Sequence, residues 1–173
     1  MADNAAESCP RCQEPRIGLF CERCGHTYIG MAAHTPPSWW AVIAPDREYF
    51  KAGIGNAKKF TFPANVRPRR IKLTGAAVRI GRHSASRGIT PEIDLAEPPA
   101  DPGVSREHAR LIAQPDGSWA VLDEGSTNGT YINSDPHRIP IDQQIRLSDG
   151  DCVHLGVWTT IILVADPAPR GAV

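Results

Sequence analysis

Four of the five cysteines, Cys9, Cys12, Cys21 and Cys24, stand as two Cys-x-x-Cys pairs separated by eight residues. Two residues between cysteines let a tight turn aim both thiolates at one point, and four thiolates complete a tetrahedral zinc shell at about 2.3 Å. Gly25, directly after the last cysteine, lets the turn's backbone approach the metal. About twenty residues bury too little apolar surface to fold unaided, whereas zinc contributes on the order of 10–16 kcal/mol in comparable peptides. One structural Zn2+ would therefore be the core of this segment. His26 would be a neighbour of the site rather than a ligand, and four thiolates leave no open coordination position for catalysis. The competing chemistries are a disulfide pair, disfavoured in a reducing compartment, and a thioredoxin-like dithiol, disfavoured because no βαβ pattern surrounds either pair.

A second constellation lies further along the chain in three segments: Ile80-Gly81-Arg82, Val104-Ser105-Arg106-Glu107-His108-Ala109 and Gly125-Ser126-Thr127-Asn128-Gly129-Thr130. Arg82 and Arg106 supply planar cationic forks, Ser105 and Thr127 supply hydroxyl donors, and Asn128 supplies an amide able to hold a peptide backbone. That donor set suits an anion. A phosphorylated side chain carries about −1.5 to −2 charges and three acceptor oxygens, a load these groups can satisfy. The elements that must position them are β-strands. Short β-branched or aromatic runs recur over 39–44, 70–73, 77–80, 92–95, 109–113, 119–123, 130–133, 144–147, 151–155 and 159–164, with turn chemistry such as Pro115-Asp116-Gly117 between them. Ten such runs, with 15 Gly and 16 Pro in 173 residues and no helix-period apolar stripe of three turns, predict an all-β sandwich. Each anion-binding segment begins or ends a run, so all three are placed on loops held by that scaffold.

The crowded cysteines and the break at Pro36-Pro37 divide the chain into a mini-domain at 1–30, a Pro-rich linker at 31–38, the sandwich at 39–166 and a short tail at 167–173. Formal net charge is zero, with 19 Lys/Arg against 19 Asp/Glu, which excludes a generally basic nucleic-acid coat protein. Cut by position the balance is uneven: residues 45–82 hold ten Lys/Arg against two Asp/Glu, and residues 83–173 hold six against thirteen. No apolar run reaches the roughly 18–20 residues of a membrane span. The N-terminus shows neither a basic n-region nor an apolar h-region, so the expected location is the cytoplasm.

The cysteine segment, over about residues 8–28, resembles the short zinc ribbons at the termini of many multidomain bacterial proteins. The order Gly-Arg, then Ser-Arg-x-His, then Ser-Thr-Asn-Gly-Thr resembles the forkhead-associated (FHA) domain, an eleven-stranded β-sandwich that binds phosphothreonine in partner proteins. By that resemblance, Ser105 and Arg106 hold the phosphate with Thr127 nearby, Arg82 and Asn128 hold the peptide backbone, and Gly81, His108 and Gly129 support the loops. The segment 97–103, Glu-Pro-Pro-Ala-Asp-Pro-Gly, is longer and richer in proline than the commonest family version. The implied function is a non-enzymatic adaptor in Ser/Thr kinase signalling that docks onto threonine-phosphorylated proteins. Thr27 in the mini-domain or Thr35 in the linker, once phosphorylated, would be an internal ligand carried near the Pro-rich tether. The rival reading is a zinc-ribbon nucleic-acid-binding or regulatory protein whose FHA-like domain recruits partners. Against it, residues 1–30 carry three Arg against four acidic residues and no groove-reading helix. A hydrolase would have to recruit Ser105, His108 and Asp123, but no nucleophile elbow, HExxH helix or phosphate loop accompanies them.

Overall fold

A computed structural model describes residues 8–9, 11–15, 21–25, 37–53, 57 and 59–166. The expectations placed on His26, Thr27 and Thr35, on most of the linker and on the tail 167–173 lie outside these residues. The chain falls into two units, residues 1–35 and 36–173, each treated by itself.

Among its described residues the larger unit holds ten strands: β1 (Ser38–Pro45), β2 (Arg69–Lys72), β3 (Ala77–Gly81), β4 (Ile93–Asp94), β5 (Glu107–Ala113), β6 (Trp119–Asp123), β7 (Thr130–Ile132), β8 (Ile145–Leu147), β9 (Cys152–Leu155) and β10 (Thr159–Asp166). They form two five-stranded sheets, ordered β2-β1-β10-β9-β7 and β4-β3-β5-β6-β8. All pairings are antiparallel except β3 with β4. Alternation along each strand sorts side chains between core and solvent. In β1, Trp39, Ala41 and Ile43 point inward while Trp40, Val42 and Ala44 point out. The adjacent tryptophans are thus split between the two faces: the Trp39 indole is buried and donates to the Gly117 carbonyl at 2.8 Å. Ile80, Leu111, Val121, Val153, Ile161 and Leu163 bring both inner faces together in one core.

All ten runs read from sequence correspond to strands, within one or two residues at most ends. Ten strands rather than eleven form among the described residues; outside these strands the larger unit has two isolated bridges, Ser84 with Ile89 and, in parallel, Asp123 with Ile141. Pro136 and Pro140 each lack the amide a longer ladder needs there. A short helix, α1 (Arg47–Lys51), interrupts the β1–β2 connection, with Asp46 capping it by accepting from Glu48 N at 2.8 Å and Tyr49 N at 3.1 Å. Five residues are too few for a helical period to show in sequence. Phe50 and Phe62 from the same connection pack on Val157 and Trp158 of the β9–β10 turn in a small satellite core. The uneven charge distribution is resolved by strand pairing. Arg69 meets Glu97 at 2.7 Å, Arg70 meets Asp166 at 3.1 Å and Arg79 meets Glu92 at 2.7 Å, each pair joining the basic stretch to the acidic one.

Candidate functional site

Gly81 ends β3 at an irregularity in its pairing with β5. A methyl group on Gly81 would overlap the Arg106 carbonyl oxygen, so glycine is required for the β3–β4 and β4–β5 loops to approach. The approach is sealed by the Arg82 amide, which donates to Arg106 O at 3.1 Å, and by the Leu95 amide, which donates to Gly81 O at 2.8 Å. Arg82 is half-buried, and its Nε is buried without a hydrogen-bond partner among the described residues. The Arg106 side chain is exposed, with no hydrogen bond or ion pair among the described residues.

Ser105 and Thr127, 22 positions apart, touch directly: the Thr127 amide donates to Ser105 Oγ at 3.1 Å, and Ser105 Oγ donates to Thr127 Oγ1 at 3.4 Å. Asn128 Nδ2 donates to Gly103 O at 2.8 Å, leaving its Oδ1 to accept from a ligand. Tyr131 holds the Asn128 carbonyl at 3.1 Å.

His108 binds two of these loops from beneath. It is fully buried, accepts the Ser105 amide proton on Nδ1 at 3.0 Å, and lies 3.2 Å from the Gly129 carbonyl through Nε2. An amide can only donate and a carbonyl only accept, so the proton resides on Nε2 and the ring is neutral. Burial drives its pKa below the ordinary histidine value, in the same direction. In this geometry His108 engages the Ser105 backbone rather than its hydroxyl, and Asp123 faces other donors.

Asp123 is a brace that sequence reasoning assigned no such role. It is buried and accepts from Gly125 N at 2.9 Å, Ser126 N at 2.7 Å, Ser126 Oγ at 2.7 Å and Thr130 Oγ1 at 2.7 Å. Burial pushes this carboxyl up, but the donors from Ser126 and Thr130 outweigh it and hold the pKa below the usual range. Ser126 Oγ in turn accepts from Gly129 N at 3.0 Å, so the turn carrying Thr127 and Asn128 is closed by its own side chains. Asp101, inside the proline-rich segment, was missed as well. Only 1 % exposed, its carboxylate accepts from Gly103 N at 2.9 Å, Val157 N at 2.9 Å, Trp158 N and Thr159 N at 3.1 Å, and Thr159 Oγ1 at 2.7 Å. The sequence signals were Asp-x-x-Ser at 123–126 and Asp-Pro-Gly at 101–103, both patterns in which an aspartate bonds amides just downstream.

In the N-terminal unit the four cysteine sulfurs lie within 4.8 Å of one another. Cys9 and Cys24 Sγ are 3.6 Å apart, and Cys12 and Cys21 Sγ are 3.5 Å apart. These separations are far beyond a disulfide and close to the edge, about 3.8 Å, of a sulfur tetrahedron around zinc. The two turns share one geometry. Gln13 N donates to Cys9 O and Gly25 N to Cys21 O, both at 2.8 Å, and Gln13 and Gly25 take φ of 61° and 70°. The residues present fit a tetrahedral thiolate-bound metal.

Residues 78–156 match the FHA domain family. Over 89 residues the chain is 37 % identical to the oxoglutarate dehydrogenase inhibitor of Corynebacterium diphtheriae, covering 51 % of this chain and 57 % of that protein. It is 34 % identical over 89 residues to the glycogen accumulation regulator GarA of Mycolicibacterium smegmatis, covering 51 % of each. The chain thus spans little more than half the length of these curated relatives. Among solved structures, the FHA domain of an Arabidopsis thaliana hypothetical protein superposes with a TM-score of 0.53 at 26 % identity, over 79 % of this chain and 92 % of that one. Strand order, loop contacts and these likenesses agree: the β-sandwich of this chain is an FHA domain.

Proposed function

We propose that this protein is a non-enzymatic, cytoplasmic adaptor that binds threonine-phosphorylated proteins through Arg82, Ser105, Arg106, Thr127 and Asn128, and that Cys9, Cys12, Cys21 and Cys24 hold one structural zinc. The observation that carries the first part is the Ser105–Thr127 contact, flanked by Arg106, whose side chain has no partner among the described residues, and by Arg82, whose Nε is buried without one there. The Thr127 hydroxyl proton and the Arg106 guanidinium, neither with an acceptor among the described residues, are donors that a strong acceptor beside Ser105 would take. A phosphate is such an acceptor, and each charge-assisted bond is worth about 1.5–3 kcal/mol. Losing two or three on dephosphorylation would remove most of a micromolar interaction of about 8 kcal/mol, so binding would switch with phosphorylation. Asn128 Oδ1 would take a peptide amide beside the phosphothreonine. The names of the bacterial relatives, an inhibitor and a regulator, support a role in controlling a partner rather than in catalysis. Zinc would supply the tetrahedral centre that closes the N-terminal unit.

The test is binding of one peptide in phosphothreonine, phosphoserine and unmodified forms to the native chain and to Arg82→Ala and Ser105→Ala. The proposal requires phosphothreonine to bind at least tenfold tighter than the unmodified form, and each substitution to cost about tenfold or more, as loss of one charge-assisted bond implies. Equal affinity for phosphorylated and unmodified peptide would sink it.

A further inference from the structure

The solvent face of the β2-β1-β10-β9-β7 sheet is unlike that of an ordinary half-solvated antiparallel sheet, where outward positions are polar. Register places its outward residues in rows that cross the strands. One row runs Arg70, Val42, Ile162, Cys152, and a neighbouring row runs Lys72, Trp40, Val164. A third runs Ala44, Thr160, His154, Tyr131, in which Thr160 and His154 are buried, Tyr49 of α1 stacking on His154 at 4.9 Å. The central strands therefore show water Trp40, Val42, Ile162 and Val164, with Ile162 36 % exposed. This patch has a charged end on either side, and the ends are of opposite sign. At the β2 end stand Arg70 and Lys72, with Arg70 over the Trp40 ring at 4.2 Å and paired to Asp166. At the other end Asp46, Glu48 and Asp135 line one recess with Tyr131, Cys152 and His154, Glu48 being paired to Lys51. The pairings leave the first end net positive and the second net negative.

We propose that this face binds a second copy of the chain in an isologous dimer. A two-fold axis lying in the interface, along the strands and between β1 and β10, sets Val42 and Trp40 of one copy over Ile162 and Val164 of the other. With strands about 4.8 Å apart, the same operation carries β2 onto the partner's β9, so each positive end meets a negative one at both rims. A face reading basic, apolar, acidic in that order is complementary to itself, which is what selects a second copy over an unrelated protein. The central contacts of this dimer, Trp40, Val42, Ile162 and Val164, lie outside the Ser105 and Thr127 loops.

The experiment is sedimentation analysis of the full, zinc-loaded chain in reductant across a concentration series, for the native protein, Ile162→Arg and Val42→Lys. The native chain is expected at twice its 18.8 kDa mass. Each substitution is expected to weaken self-association at least tenfold, with a native circular-dichroism spectrum and unchanged phosphopeptide affinity because both positions face solvent outside the loops; the loss of the dimer also removes any concentration dependence of the thermal midpoint. A further arm mixes an Arg70→Glu, Lys72→Glu protein with a Glu48→Lys, Asp135→Lys protein: each alone is expected to be monomeric and the mixture dimeric. A monomer at every concentration would overturn the proposal. So would a dimer that neither Ile162→Arg nor Val42→Lys weakens, which would place the contact elsewhere.

Discussion

Replacing Asp101 by alanine should damage both the stability of the sandwich and its ligand site, through one carboxylate. Its five donors, four amides and the Thr159 hydroxyl, come from Gly103 and from the β9–β10 turn, all buried. An unsatisfied buried donor costs about 1–3 kcal/mol, and water entering the vacated space would satisfy some of the five. Two left unpaired give a loss of about 4 kcal/mol, near the top of the range for a single substitution. For a unit of about 130 residues with an unfolding entropy of about 2.1 cal/mol/K per residue, that lowers the thermal midpoint by roughly 15 °C. Asp101→Asn should lose about half as much, because its carbonyl keeps some bonds while its amino group faces other donors. Gly103 is also the residue whose carbonyl anchors Asn128, so both variants should bind phosphothreonine peptide more weakly at temperatures where they remain folded. Calorimetry and peptide titration read the two effects. A midpoint shift in Asp101→Ala corresponding to less than about 1 kcal/mol would refute the view that this carboxylate pins the loop.

Two other outcomes follow from the geometry. His108 is neutral in the fold with a pKa below that of the unfolded chain, so the unfolded state binds its proton first as pH falls. Stability should be full above about pH 6.5 and decline below it, and His108→Gln should flatten that slope in pH-dependent urea unfolding while lowering stability throughout. Removing metal with a strong chelator should release one zinc per chain and abolish the protease resistance of the N-terminal unit while the melting of the sandwich stays put; a metal-free preparation with unchanged resistance would contradict a metal-built core.

The ten strands were legible because each carries a β-branched or aromatic run closed by Gly, Pro, Asn or Asp, and Gly81, His108 and the Ser105–Thr127 pair fall where strand ends put them. What stayed hidden depends on contacts between distant residues. Asp101 reads as one more residue of a proline-rich loop until its partners 56 to 58 positions away are known. The run of basic residues over 45–82 looks like a patch, yet Arg69, Arg70 and Arg79 are each neutralised by carboxylates from the other half of the chain. Trp39 and Trp40 are indistinguishable by type, and only the phase of β1 sends one inward. Helix α1 arises from a single capping aspartate in a long connection, a signal below what periodicity can show.

The strands at the margins of the two sheets are β2, β7, β4 and β8, and they are four, three, two and three residues long. So little unpaired backbone is offered at any margin that a partner's extended chain cannot be captured by strand addition, and Arg70 and Lys72 on the longest margin discourage it further. Among the described residues the sandwich thus offers little main-chain ladder for recognition, which leaves the work to loop side chains and makes its choice of partner alterable one residue at a time.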